Sequence, residues 1–197
     1  MLTGRIMRGF SLIAVGQLVI RLVDLVALIV TARLLFPEDF GIVALGSTTI
    51  IVAQSVMHFP VFDALIGRDH ISKTDTDAAF TLNLARALLL TLVILIAAQP
   101  LAVVYGDPRL AETFYVLCVA VLAPGLLSPG MVQFTRDLNF KPQVLLQILG
   151  KVTSILVTVG LALWLRSYWA LIIGMVTMPV VITVGSYVFS PDRKSVV

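Results

Sequence analysis

Apolar positions in this chain run together in stretches of about 20 residues or more, the length a helix needs to cross ~30 Å of hydrocarbon. The runs cover roughly 10–35, 40–66, 79–104, 111–133, 143–165 and 168–189. The segments between them carry turn chemistry and charge: Phe36-Pro37-Glu38-Asp39, Gly67 through Asp77, Gly106-Asp107-Pro108-Arg109, Arg136 through Pro142, and Arg166-Ser167. The pattern predicts an all-α integral membrane protein, a single lobe of six transmembrane helices over residues 1–197. Ser72 followed by Asp75 resembles a helix-start capping pattern, so Asp75-Thr76-Asp77 reads as the approach to the third span and not as a metal-binding DxD.

Within those spans the polar residues are not scattered. Gln17, Arg21, Asp24 and Thr31 share one side of the first span at helical periodicity, and Ser47, Gln54 and His58 line up on the second, just before Pro60. Gln147, Lys151, Ser154 and Thr158 do the same on the fifth, and Asn83 and Arg86 lie about a turn inside the third. A charge at bilayer mid-depth costs several kcal/mol, from about 3 to above 10 by different estimates, so intramembrane charges point to a pathway, a ligand or a partner. Four polar faces predict helices turned toward a wet cavity lined by Gln17, Arg21, Asp24, Gln54, Arg86, Lys151 and Ser154. Basic groups outnumber Asp24 there, which favours an anionic substrate; the arginine fork in particular matches phosphate oxygens. Asp24, three residues after Arg21, is expected to hold that guanidinium in the resting state and is the candidate for ion coupling. The competing reading of each face is structural: a self-neutralising Arg21–Asp24 pair, a packing histidine at His58, an Arg86 that snorkels to the headgroups.

Composition agrees with the pattern. The chain is 59% hydrophobic and 13% charged, with mean hydropathy +1.03, too apolar to cover a soluble globule of its size. Lys and Arg gather on alternate loops: Arg5, Arg8, Arg68, Lys73, Arg136, Lys141, Arg193 and Lys194 against Arg109 and Arg166, with Arg33 near the latter end. Both termini are therefore expected in the cytoplasm, and the net charge of +3 follows from this loop bias without nucleic-acid binding. The first apolar stretch is too long and too charged for a cleaved signal peptide. The lone Cys118 sits in an apolar run, where it reads as a small hydrophobe.

The run Thr31-Ala32-Arg33-Leu34-Leu35-Phe36-Pro37-Glu38-Asp39-Phe40-Gly41-Ile42-Val43-Ala44-Leu45 carries a resemblance, supported by Ala64-Leu65-Ile66-Gly67-Arg68, Tyr105-Gly106-Asp107-Pro108-Arg109-Leu110, Arg136-Asp137-Leu138-Asn139-Phe140-Lys141 and Tyr168-Trp169-Ala170-Leu171. Over nearly its whole length the chain resembles the polysaccharide (oligosaccharide) flippases of the multidrug/oligosaccharidyl-lipid/polysaccharide exporter superfamily. The resemblance implies a role in bacterial surface-polysaccharide biosynthesis, moving a polyprenyl-diphosphate-linked oligosaccharide across the inner membrane. It also implies two helical lobes about a central cavity whose basic residues meet the diphosphate, with Arg21, Arg86 and Lys151 the matching candidates here.

Such flippases have twelve or more spans, so six make the amino-terminal lobe alone. A truncated gene, a split transporter completed by a separate chain and a self-associating half are the three expectations, and the alternative functions are a non-transporting scaffold or an inactive fragment. An intramembrane enzyme is not expected. Ser47 and His58 stand three turns apart, there is no Gly-x-Ser-x-Gly elbow, and His58 and His70 form no His-Glu-x-x-His pattern, so neither cofactor nor metal is anticipated. The expected partners are the lipid-linked oligosaccharide, membrane lipids and a second six-helix lobe.

Overall fold

The computed structural model describes residues 18, 20–56, 73–131, 134 and 141–189. They form six helices: α1 (20–34), α2 (Pro37–Val56), α3 (Lys73–Tyr105), α4 (Arg109–Gly125), α5 (Lys141–Leu165) and α6 (Trp169–Phe189). Three of them, over Asp77–Tyr105, Lys141–Leu165 and Trp169–Phe189, are long and apolar enough to cross a membrane. Asp75, Thr76 and Asp77 fall in the opening turns of α3, as a helix approach should.

Local chemistry sets the helix ends. Pro37 starts α2, where its missing N–H and fixed φ cost nothing, and the backbone N–H of Phe36 donates to the Asp39 carboxylate at 3.2 Å, closing the entry turn. At the far end of α3, Gly106 takes φ +73°, its N–H bonds to Val103 O at 3.1 Å, and the Asp107 N–H reaches back to Ala102 O at 3.1 Å. That pair of bonds is a Schellman stop, for which glycine is the favoured residue. Asp107 then accepts from the Arg109 backbone at 2.9 Å and from its guanidinium at 2.8 Å. This bond holds the Asp107 carboxyl below the usual carboxylate range.

Packing is led by α4 and α6. α4 contacts α2, α3 and α6, while α6 also contacts α5. The apolar core gathers around Phe114, with Ile50, Leu90, Ile94, Leu110 and Leu117. Polarity is inverted relative to a water-soluble bundle. Thr113 and Ser186 are fully buried, while Ile96 and Leu156 are 69% and 68% exposed, an arrangement that is costless only when the surroundings are lipid.

Two features differ from the sequence expectation. The fourth span was expected to run through residue 133, yet α4 stops at Gly125. Pro124 lies in its last turn, and the backbone freed there is bonded from neighbouring helices. Asn83 Nδ2 donates to Pro124 O (3.2 Å), Thr183 Oγ1 to Ala123 O (2.8 Å) and the Tyr187 hydroxyl to Leu126 O (2.7 Å). The Ser128 N–H donates to Ser186 Oγ at 3.0 Å. Irregular backbone inside a membrane protein survives where protein partners satisfy it in this way. The second difference is at the α5–α6 hairpin. Its interface is built from small residues at every fourth position of α5, with Gly150, Ser154, Thr158 and Ala162 all buried. Small residues at that spacing let helix backbones approach closely.

Candidate functional site

α1 and α5 meet at an ion pair. Nζ of Lys151 bonds to Oδ1 of Asp24, the two side chains being 21% and 41% exposed. Beside the pair runs an apolar seam of Ile20, Val23, Ile148 and Val152, whose hollow of about 10 Å³ has room for about one water. Lys151 lies ten residues into α5 and Asp24 eleven before Leu35; at ~1.5 Å per residue, each is on the order of 15 Å from its helix end. A lone charge that far inside a membrane-spanning helix such as α5 is costly, and here it is paired.

This pairing corrects one expectation. Asp24 was expected to hold Arg21 on its own helix, but among the described residues its ion-pair partner is Lys151. The reason is position: α5 lies alongside α1 and presents an ammonium at the same depth. Arg21, one turn before Asp24, is exposed. The local group therefore holds two cations and one anion.

The remaining candidates separate. Ser154, expected in the cavity, is 8% exposed, and its hydroxyl donates to Gly174 O of α6 at 2.6 Å. Thr158 is equally buried, with Oγ1 bonded to Ser154 O at 2.8 Å. The polar stripe of α5 thus divides, Lys151 meeting α1 while Ser154 and Thr158 seal the hairpin with α6. Arg86 is half-buried on α3 with its Nε enclosed, and Gln54 is half-buried on α2. The extended contacts of those two helices are with α4, whereas those of α5 are with α6. Gln17 and His58 lie outside the described residues.

A second hollow, of about 310 Å³, is an open groove along α2 lined by Ala44, Leu45, Thr48, Thr49, Val52 and Tyr105. Tyr105, the last residue of α3, walls this groove. Tyr168 and Trp169 stack with ring centroids 5.2 Å apart at the α5–α6 turn. Neither hollow is enclosed, and among the described residues no group of three or more His, Cys, Asp or Glu could hold a metal ion.

The stitched end of α4 and the Gly150-Ser154-Thr158 interface were missed by sequence reasoning. The second was visible as a small-x-x-x-small repeat. The first was announced by Pro124-Gly125 and Ser128-Pro129-Gly130, which fall inside the apolar run assigned to the fourth span.

Comparison with known proteins adds to this geometry. The chain is 28% identical over 164 residues to the succinoglycan biosynthesis transport protein ExoT of Rhizobium meliloti (strain 1021), an alignment covering 82% of this chain and 33% of that protein. It thus spans about a third of the length of the curated relative it matches. No solved structure matches it. The family of polysaccharide biosynthesis proteins matches residues 30–197. With its apolar helices and inverted polarity, the chain is a multi-pass membrane protein, and it belongs to the polysaccharide biosynthesis protein family.

Proposed function

We propose that this chain forms one lobe of an inner-membrane transporter for a polyprenyl-diphosphate-linked oligosaccharide, with Arg21 and Lys151 receiving the diphosphate. The observation that carries the reading is the Asp24–Lys151 pair with the exposed Arg21 a turn away, a local surplus of one positive charge. In a medium of low effective dielectric that surplus attracts a multivalent anion far more strongly than in water. The prenyl tail stays in lipid against the exposed leucines of α1, and a second six-helix lobe closes the other side of the cavity. Both termini face the cytoplasm in this reading, which the Lys and Arg bias of the loops supports. Direction comes from a gradient or from consumption of the product, because a site of fixed affinity moves nothing uphill.

Binding of undecaprenyl diphosphate to the purified chain in detergent, compared with neutral undecaprenol, tests this. The diphosphate should bind at least tenfold more tightly, and Arg21→Gln and Lys151→Gln should each remove most of the difference. Equal binding of the two lipids would refute the reading. A second reading, a scaffold without transport, is favoured by the Ser154 and Thr158 bonds that fasten α5 to α6. Single cysteines separate the two. Lys151→Cys reacts with a polar thiol reagent if the group lines water, Gln54→Cys probes the α2 face in the same way, and both stay silent in a packed scaffold. Ser154→Cys, sealed against Gly174, should be silent in either case.

A further inference from the structure

Asp24 does more in this arrangement than neutralise a lysine. α1 is weakly embedded: of its residues 20–34, Thr31 alone is buried, and the Thr31 hydroxyl bonds within its own helix to Ala27 O at 2.8 Å. What ties this stretch of α1 to α5 is the apolar seam of Ile20, Val23, Ile148 and Val152 and the ion pair beside it. The seam has room for about one water, so it offers no space for a phosphate between the helices while they stay together. The ammonium itself is already met by the Asp24 carboxylate, the more exposed partner. A carboxylate and a diphosphate gathered on one ammonium at low dielectric repel each other strongly, so the two anions exclude one another.

We infer that Asp24 is an internal competitor for the anion site: its carboxylate occupies Lys151 in the empty lobe, an incoming diphosphate takes Lys151 by displacing it, and the displacement undocks α1 from α5. The inference rests on the reading of Arg21 and Lys151 as a diphosphate site. Asp24 is then a positioning residue that weakens substrate binding in exchange for converting binding into helix movement. Without it the lysine would hold the diphosphate more tightly and α1 would have no ionic tie to break. Differential contact of this kind is what a ligand needs in order to shift a conformational equilibrium.

The test uses the full chain with Cys118→Ala and one cysteine on each wall of the seam, Val23→Cys and Val152→Cys, joined by a short oxidative cross-link in detergent. Undecaprenyl diphosphate should lower the cross-linked fraction at least threefold, and undecaprenol should leave it unchanged. Inorganic pyrophosphate is the third arm: a matching drop assigns the effect to the diphosphate group alone, and no drop assigns it to the lipid-borne diphosphate. Asp24→Asn should bind undecaprenyl diphosphate about tenfold more tightly and cross-link poorly with or without it. Asp24→Glu, which keeps the carboxylate, should behave as the parent and guards against a folding defect. A cross-link that is unchanged while the diphosphate is bound overturns the inference and leaves the anion site standing, as does an Asp24→Asn chain that binds no more tightly. Failure of the parent chain to prefer the diphosphate over undecaprenol overturns both.

Discussion

The α5–α6 hairpin can be tested at a single atom. A methyl group at Gly174 would lie 3.0 Å from Thr158 Cβ and 3.3 Å from Ser154 O, and well inside the van der Waals radius of Thr158 Oγ1. Gly174→Ala therefore forces the Thr158 hydroxyl to rotate, breaking its bond to Ser154 O, a loss of about 1 kcal/mol. The remaining contacts demand a shift of a few tenths of an ångström between the helices, and overpacking of this sort costs roughly 1–3 kcal/mol. Set against this is a gain of up to about 1 kcal/mol from replacing glycine inside a helix. The balance is a destabilisation of about 1–3 kcal/mol, or on the order of 2–12 °C in thermal midpoint for a chain of this size.

Thr158→Ala should rescue much of the loss, because it removes the offending oxygen. In a double-mutant cycle the two changes should couple favourably by at least about 1 kcal/mol. The chain contains its own reporter. Cys118 is its single cysteine and is 5% exposed, so a fluorogenic thiol reagent added during heating in detergent reads the parting of the helices. A Gly174→Ala chain as stable as the parent, or a second change that fails to rescue, would show that the helices do not approach at this point.

Three further outcomes follow from other contacts. Thr183→Val keeps the shape but deletes the bond to Ala123 O, leaving that carbonyl only its local bond from the Leu126 N–H; it should cost about 0.5–1.5 kcal/mol in the same thermal assay. Arg166 holds φ +46° after the last turn of α5, so Arg166→Gly should raise stability by about 0.5–1 kcal/mol, and an unchanged midpoint would show that the turn is unstrained. The Arg109 bond lowers the Asp107 carboxyl from its ordinary value, so its contribution is complete above the unfolded value and disappears as the pH falls through the lower folded one. Because the pair is exposed, the midpoint difference between the parent and Asp107→Asn should be small at neutral pH, shrink with salt and vanish in acid.

Six helices were legible in the sequence because apolar runs and turn residues are local signals: α5 and α6 start and end, and α1 and α3 end, within two residues of where the runs change character. The end of α4 was not, because the groups that let the chain leave the helix at Gly125 come from Asn83, Thr183 and Tyr187, between 41 and 61 residues away. A proline in an apolar run reads as a kink until those donors are placed beside it. Asp24 illustrates the same limit. Local spacing offered Arg21 as its partner, but pairing across helices depends on which helix lies alongside, and α5 supplied Lys151.

The polar stripe of α5 shows what kind of information separates a packing face from a binding one. Lys151, Ser154 and Thr158 satisfy a single helical periodicity, so a reading from period alone gives them one environment. Size divides them. Ser154 and Thr158 continue the buried series from Gly150 to Ala162, and α6 answers with Gly174 and Gly185, whose added Cβ atoms would collide with Thr158 and Leu146. Small residues met by glycine bring backbones close enough for hydroxyl-to-carbonyl bonds, which leaves no space for water or ligand. Lys151 breaks that series with a long charged side chain and is met by a carboxylate on a helix that is otherwise little buried. Where small faces small, polar groups fasten helices; where a long cation faces an acid on a weakly embedded helix, the pair is not locked by close backbone packing, which is why the proposed anion site is placed there.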